Sequence, residues 1–219
     1  AAWAMMTVAE HFRDRGLQVL VLADSITRFA EAQREVAAAA GESFGPSGFP
    51  ASMAQMVMGL AERAGPGVDG QGDITAVLSV LVAGSDMEGP VADVMRGVLD
   101  GHVLLDREIA ERGRYPAIDL LRSVSRALPG AASDEDLRLI ARARQLLGAY
   151  DRSEMMIRAG LYSAGSDAVT DAAIAVHEAL DAFVGAPAGE RIADSFATLA
   201  GILAAADRGG TTAQGRAMP

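Results

Sequence analysis

The stretch LQVLVLADSITRFAEAQRE (17–35) decides the fold class of this chain. Its first residues are rich in Val and Leu and lead into Asp24, a pattern typical of a β-strand buried on both faces. The residues after Asp24 have helical texture as far as Ala40, and Ser25 stands where it can cap that helix. An acid at the carboxyl end of a buried strand lies where an open α/β sheet presents groups to a ligand.

The flanking segments continue this alternation of helix and strand. Helices are predicted over 1–16 and 51–64, and ITAVLSVLV (74–82) predicts a second buried strand. This order of elements predicts a mainly parallel sheet with flanking helices. From Ser133 onward no strand pattern returns, and the remaining segments suit amphipathic helices, namely 134–150, 153–161, 167–184 and 190–206. We therefore expect an α/β part, then an all-α part, then a frayed tail.

Composition excludes several kinds of chemistry. All 19 positively charged residues are Arg, and the sequence contains neither Lys nor Asn. No Schiff-base Lys, Ser-Lys dyad or phosphate-loop Lys can therefore lie within these residues. Because Lys and Asn have AT-rich codons, we attribute the bias to a GC-rich genome. The net charge of −10 argues against a general nucleic-acid surface.

The sequence shows no clear signal for secretion or for insertion into a membrane. There is no Cys for a disulfide framework or a thiolate site, which fits a reducing cytosol. The apolar runs are too short to span a membrane, and charged residues soon follow the apolar start, so a secretory signal is not expected.

Three apparent motifs have ordinary structural explanations. GPGVDG (65–70) matches G-x-G-x-x-G, but it follows a predicted helix and precedes a strand, the reverse of a dinucleotide-binding context. His11, His102 and His177 share no metal-ligand spacing, and we interpret His102 as a hydrogen-bonded structural residue. The Met residues recur at helical spacings, which favours packing over a cofactor site.

A series of short motifs remains, in a fixed order: DSITRFAEAQRE (24–35), GFPAS (48–52), ERAG (62–65), GDITA (72–76), PVAD (90–93), LDGH (99–102) and RYPAIDLLRSVSR (114–126). Together they resemble the ring-forming ATPases related to the rotary ATP synthase catalytic subunit. The likeness is greatest to the flagellar and type III protein-export ATPases and covers about residues 1–160. It implies the C-terminal part of a RecA-like P-loop ATPase core, followed by an all-α C-terminal domain.

The resemblance assigns two residues to the subunit's own nucleotide site. Asp24 alone is a weak signal, because any buried strand can end in Asp. In this family its position is that of the Walker B acid, which holds Mg²⁺ through water. Arg28, one helical turn later, would meet phosphate oxygens of ATP. An ion pair of Arg28 with Glu31 or Glu35 is the alternative interpretation.

Two further residues come from the second long motif. By resemblance, Tyr115 would stack on adenine; the alternative is an ordinary half-buried aromatic beside Pro116. Arg126 would be the arginine finger that reaches the neighbouring subunit's site and stabilises transition-state charge. A salt bridge of Arg126 within its own subunit is the competing interpretation.

The sequence departs from the family pattern in several places. Leu121 and Arg122 stand where relatives have an acid and Ala, which places a further positive charge near Arg126. At GSDMEGP (84–90), the family usually has a more acidic sequence. The phosphate loop, the catalytic Glu and the N-terminal β-barrel of the family are not found in these residues.

The resemblance implies a fragment of an ATPase that hydrolyses ATP with Mg²⁺ as a homohexameric ring and energises flagellar or type III protein export. We expect core residues 1–130, a helical domain over 131–206 and a disordered tail over 207–219. The expected partners are export stalk and regulator proteins, chaperones and export substrates, without nucleic acid. The expected location is the cytoplasm, peripheral to the inner-membrane export apparatus.

Three alternatives stay open. DSITR (24–28) also resembles the transcription termination helicase Rho, which needs basic RNA-binding surfaces. A rotary ATP synthase-type subunit shares more of the motifs. The third alternative is a non-enzymatic assembly or regulatory module. For the isolated 219 residues we expect no hydrolysis, because a phosphate loop is lacking.

Overall fold

The computed structural model describes residues 1–84, 89–187 and 189–214, with residues 207–214 described by their backbone only. Part of the GSDMEGP segment and the end of the predicted tail lie outside the described residues. The chain forms two compact units that divide between Asp100 and Gly101. The predicted division, at residue 131, is later in the chain. Within the described part, no helix is long and apolar enough to cross a bilayer.

The first unit contains a small parallel sheet flanked by helices, as predicted. Its elements are α1 (Ala2–Arg13), β1 (Val19–Ala23), α2 (Ile26–Ala39), α3 (Ala51–Ala61), β2 (Ile74–Leu78) and α4 (Pro90–Val98). Strands β1 and β2 pair in parallel, with Val19 opposite Ile74 and Ala23 opposite Leu78. The GPGVDG stretch lies in the loop between α3 and β2, which confirms the loop interpretation.

The core of the first unit lies on one face of this sheet. Val21 and Ile74 are buried there against Met6 of α1 and Leu60 of α3. Burying one such side chain contributes about 1.5 to 3 kcal/mol.

The prediction that both strands are buried on both faces is wrong for this chain. Leu20 and Leu22 on β1 are 61% and 67% exposed, and Val77 on β2 is 58% exposed. Successive residues of a strand point to opposite faces, and the helices of this unit cover one face only. Strand β2 also ends at Leu78 rather than residue 82, because β1, its ladder partner, ends at Ala23.

The second unit starts with a hairpin that the sequence analysis missed. Its strands are β3 (Gly101–Leu105) and β4 (Ile118–Ser125), joined through the short helix α5 (Arg107–Glu111). They pair antiparallel, with a register irregularity between His102 and Leu104. The hairpin was missed because β3 is short, both strands are part-exposed, and neither shows a clean alternation.

Helices make up the rest of this unit, as predicted: α6 (Leu128–Ala131), α7 (Asp134–Arg158), α8 (Ala168–Gly185) and α9 (Ile192–Gln214). The two segments predicted over 134–150 and 153–161 are one continuous helix. Residues predicted to begin a disordered tail at 207 instead continue α9 to Gln214. Leu146, Val176, Leu180 and Leu203 form the centre of the core among α7, α8 and α9.

The start of α8 predicts a specific response to acid. The Asp167 carboxylate caps α8 by accepting hydrogen bonds from the Thr170 hydroxyl and the backbone N–H groups of Thr170 and Val169. These bonds, above all that of the Thr170 hydroxyl, hold the pKa of Asp167 below its usual value. The cap therefore stabilises the fold fully above the unfolded-state pKa, and this stability is lost as pH falls through the lower folded-state pKa.

We expect Asp167→Asn to keep most of the stability at pH 7, since Asn also caps helices, and to weaken the loss of stability in acid. Asp167→Ala removes the cap altogether and should therefore lower the free energy of unfolding both at pH 7 and in acid. The measurement is the free energy of unfolding by urea between about pH 7 and pH 3. An unchanged acid response in Asp167→Asn would contradict the assignment.

Candidate functional site

Asp24 stands at the carboxyl end of β1, where the strand gives way to α2. It is exposed, and its Oδ1 accepts a 2.6 Å hydrogen bond from the hydroxyl of Ser79. The backbone N–H of Ser79 donates to the carbonyl of Ala23, and the Ser79 carbonyl accepts from the N–H of Ile26. Ser79, the residue after β2, thus bonds to both the strand and the helix on either side of Asp24.

Ser79 is a hydrogen-bond partner of Asp24 that the sequence analysis missed. The available signal was its place as the one hydroxyl late in the apolar run ITAVLSVLV (74–82). A second hydrogen bond joins the start of α2 to the segment after β2: Thr27 Oγ1 accepts from the N–H of Leu81 at 2.8 Å. These long-range contacts hold the Asp24 carboxylate at the strand edge.

Ser25 does not act as the predicted cap. It occupies the N-cap position of α2, but its hydroxyl makes no capping bond. Its Oγ is buried and has no hydrogen-bond partner in the described part of the chain. A buried hydroxyl without a partner normally costs free energy.

The chemistry of these donors fits Mg²⁺ rather than a metal held by a protein cage. Mg²⁺ keeps several waters and takes one or two carboxylates, with substrate phosphates completing its shell. Asp24 supplies one carboxylate oxygen that is free of the Ser79 bond. Among the described residues, no cluster of three or more His, Cys, Asp or Glu could bind a metal by itself.

Arg28 lies in the first turn of α2. Its Nη1 is 2.9 Å from Glu31 Oε2, and the two side chains are 72% and 44% exposed. The ion pair named as the alternative interpretation is therefore formed. Surface pairs of this kind contribute little stability, so the guanidinium can exchange partners at small cost.

Tyr115 lies in the second unit, at a cis Tyr115–Pro116 peptide bond, and is 65% exposed. The turn around it is held by Arg114, which donates to the carbonyls of Pro116 and Ile118 at 2.9 and 2.8 Å. The same guanidinium pairs with Asp181 of α8 at 2.9 Å and is only 13% exposed on its side chain. Sequence analysis missed Arg114, because its partner on α8 is distant in sequence.

Arg126 follows β4 directly and is exposed. The departure noted at Arg122 has a local explanation: Arg122 lies 3.6 Å from Asp106 and 3.9 Å from Asp119. The interpretation of His102 as a hydrogen-bonded structural residue is confirmed, because its Nε2 lies 3.0 Å from the Arg122 carbonyl oxygen. The predicted site residues are thus divided between the two units. The first unit contains Asp24 and Arg28, and the second contains Tyr115 and Arg126.

A cleft of about 490 Å³ in the second unit lies among the β3–β4 hairpin, α7 and α8. In it His177 stacks on Tyr150, with ring centroids 3.5 Å apart and planes 14° apart. Burial lowers the pKa of His177, although Asp181 and Glu154 oppose this effect. An imidazole stacked on an aromatic ring in this way is a structural arrangement.

Two family profiles match the chain in succession. The profile of the ATP synthase alpha/beta family, nucleotide-binding domain, covers residues 1–125. The chain belongs to the ATP synthase alpha/beta family. A second profile, the T3SS EscN ATPase C-terminal domain, covers residues 132–199 of this family member.

Individual members of the family are similar over most of this chain. A Type 3 secretion system ATPase from Pseudomonas syringae pv. syringae is 48% identical, over 84% of this chain and 40% of that protein. A Flagellum-specific ATP synthase from Caulobacter vibrioides is 44% identical, over 93% of this chain and 47% of its own length. The chain therefore spans less than half of these curated relatives.

The solved structure of the assembled ATPase EscN, from the enteropathogenic E. coli type III secretion system, has the same fold. It superimposes with a TM-score of 0.88 at 36% identity, over 93% of this chain and 49% of EscN. EscN in complex with its central stalk EscO matches with a TM-score of 0.82, also at 36% identity, over 92% of this chain and 48% of EscN. The predicted fold class, the C-terminal part of a RecA-like core followed by helices, is confirmed.

Proposed function

We propose that this segment belongs to a ring ATPase that hydrolyses ATP to energise protein export by a flagellar or type III system. The observation that carries the proposal is the order of the two family profiles, with an exposed Asp24 carboxylate fixed at the end of β1. One relative is named for type III secretion and another for the flagellum, so the relatives support the two export systems equally.

In its own subunit, the segment supplies the carboxylate side of a nucleotide site. Asp24 would hold Mg²⁺ through water, with Ser79 orienting the carboxylate by its hydrogen bond. Mg²⁺, when bound, neutralises phosphate charge. Arg28 would leave Glu31 and bind phosphate oxygens of ATP, as a guanidinium does well.

The segment also supplies Tyr115 for binding of the nucleotide and Arg126 for the neighbouring subunit's site. Tyr115 is exposed on a turn that Arg114 holds firmly, so its ring is available to stack on adenine. Arg126, at the end of β4, would enter the neighbouring subunit's site and stabilise the charge that develops on the transferred phosphoryl group. A homohexameric ring places each subunit's Arg126 at the next subunit's site, a head-to-tail arrangement.

Hydrolysis also needs a phosphate loop, and the sequence here contains no Lys to complete one. We expect the 219-residue chain alone to show no Mg²⁺-dependent ATP turnover. A full-length ATPase carrying this segment should turn ATP over, with activity rising as the ring assembles. Clear turnover by the isolated chain, or no turnover by the assembled full-length protein, would contradict the proposal.

The remaining assignments follow from the same proposal. Residues 1–130 form the end of the ATPase core and 131–206 the helical domain, a division supported by the ends of the two profiles at 125 and 132. Helices α7 to α9 would receive export chaperones and substrates, and a stalk protein would pass through the ring, as EscO is the central stalk of EscN. The full-length protein would work in the cytoplasm at the export apparatus, without nucleic acid.

Tyr115 gives a direct test of nucleotide binding. We expect Tyr115→Ala in the full-length protein to raise the KM for ATP about tenfold, because one aromatic stack contributes on the order of 1 to 3 kcal/mol. Tyr115→Phe keeps the ring and should retain a near-normal KM. Steady-state kinetics and binding of a fluorescent ATP analogue measure both effects. Equal KM values for the Ala variant and the unmodified protein would remove Tyr115 from the site.

A further inference from the structure

The irregular part of the β3–β4 hairpin is held by side chains instead of a strand ladder. The ladder pairs His102 with Val124 and Leu104 with Asp119, so residues 120–123 of β4 bulge out between these pairs. Each bulged residue has a backbone carbonyl that needs a hydrogen-bond donor. The donors come from outside β4.

Arg144 of α7 supplies donors to three of these four carbonyls. Its Nη1 donates to Leu120 O at 2.6 Å and to Ser123 O at 3.3 Å, and its Nη2 donates to Leu121 O at 2.9 Å. The fourth carbonyl, that of Arg122, lies 3.0 Å from His102 Nε2. One guanidinium from a helix therefore fixes most of the bulge.

Further hydrogen bonds come from the two strands themselves. The Asp119 carboxylate accepts from the N–H groups of Leu121 and Arg122, at 2.9 and 3.0 Å. The Ser123 hydroxyl accepts from the N–H of Leu104 at 3.0 Å. These bonds shape the loop of the bulge, and Arg144 ties its carbonyls to α7.

This placement bears on Arg126, three residues beyond Ser123. A bulge turns the strand that contains it and so sets the direction of the residues that follow. A guanidinium has a planar fork that can bond several carbonyls at once, which the single ammonium of Lys cannot do with the same geometry.

We propose that Arg144 is a positioning residue for Arg126: by bonding the carbonyls of residues 120, 121 and 123, it fixes the direction in which β4 delivers Arg126 to the neighbouring site. The inference rests on the proposed function, since it needs Arg126 to act in catalysis. It also makes α7 the element through which the helical domain influences turnover.

The first test uses Arg144→Gln in the full-length ATPase. We expect kcat to fall about tenfold to a hundredfold, because a displacement on the order of 1 Å at a reacting group costs up to that much. The KM for ATP, the melting temperature and ring assembly should stay near those of the unmodified protein. Arg144→Lys should recover part of kcat. Arg138→Gln, an exposed change on the same helix, is the matched control and should leave kcat unchanged.

The second test asks whether Arg144 acts through Arg126. If it does, Arg126→Ala combined with Arg144→Gln will be no slower than Arg126→Ala alone. An added loss equal to that of Arg144→Gln by itself would overturn the inference, as would a normal kcat in Arg144→Gln. If Arg144→Gln does not fold, Arg144→Lys takes its place in the cycle, and an additive loss there overturns the inference equally. A normal kcat in Arg126→Ala would instead overturn the proposed function.

Discussion

Replacing Arg126 by Ala is expected to lower ATP turnover of the assembled full-length ring by about 10³- to 10⁵-fold, the range that arginine fingers contribute in other nucleotidases. Nucleotide affinity should be nearly unchanged, because the finger acts on the charge of the transition state. Single-turnover kinetics and equilibrium binding of ATP, measured on the same preparation, separate the two effects.

Two variants control this result. Arg126→Lys keeps the charge but loses the planar fork, and it should remain severely impaired. Arg122→Ala removes a guanidinium four residues earlier, one that pairs with Asp106 and Asp119 in its own subunit. Its turnover should fall less than tenfold. Equal losses in Arg122→Ala and Arg126→Ala would mean that general charge near β4, rather than a finger, supports hydrolysis.

The second large effect is expected at Asp24. Asp24→Asn keeps the shape and can still accept the Ser79 hydrogen bond, but it removes the negative charge that would hold Mg²⁺. We expect turnover to fall by about 10²-fold or more, the order that one electrostatic contact in an active site contributes. The apparent affinity for Mg²⁺ should fall as well, which a titration of Mg²⁺ at fixed ATP measures.

Ser79→Ala is the matched variant for Asp24. It removes only the hydroxyl that orients the carboxylate, so we expect a loss of severalfold rather than hundredfold. If Ser79→Ala were as impaired as Asp24→Asn, the hydroxyl itself would have a direct role. If Asp24→Asn kept normal turnover, Asp24 could not be the Walker B acid.

Local pattern was enough to predict the elements that position Asp24. The apolar run of β1, the acid that ends it and the helical residues of α2 lie together in one short stretch, so propensity and periodicity report on them directly. The parallel pairing of β1 with β2 followed from the alternation of strands and helices. Burial on both faces did not follow, because Leu22 and Val77 need a covering layer that the described residues do not include.

The contacts that fix the site were not predictable in the same way. Ser79 meets Asp24, and Arg144 meets the β4 bulge, across more residues than any local pattern covers. Arg144 has the sequence context of an ordinary exposed helix residue, and its bonds to the bulge are visible only in the packing of α7 beside β4. The same holds for Arg114, whose ion pair with Asp181 depends on the placement of α8.

In the proposed ring, each subunit gives Asp24 to its own site and Arg126 to the next one. Mixing the Asp24→Asn and Arg126→Ala proteins is a direct test of this arrangement. In mixed rings, some Arg126→Ala subunits, which keep Asp24, will sit next to Asp24→Asn subunits, which keep Arg126. For random equimolar mixing this gives about a quarter of the interfaces a complete site.

We therefore predict that two nearly inactive proteins recover substantial ATP turnover when they are assembled together. The recovery should peak near equal amounts of the two variants and should not occur when either variant is assembled alone. A mixture no more active than its separate components, with mixed rings verified by mass spectrometry, would show that both residues serve the same site within one subunit and would contradict the account.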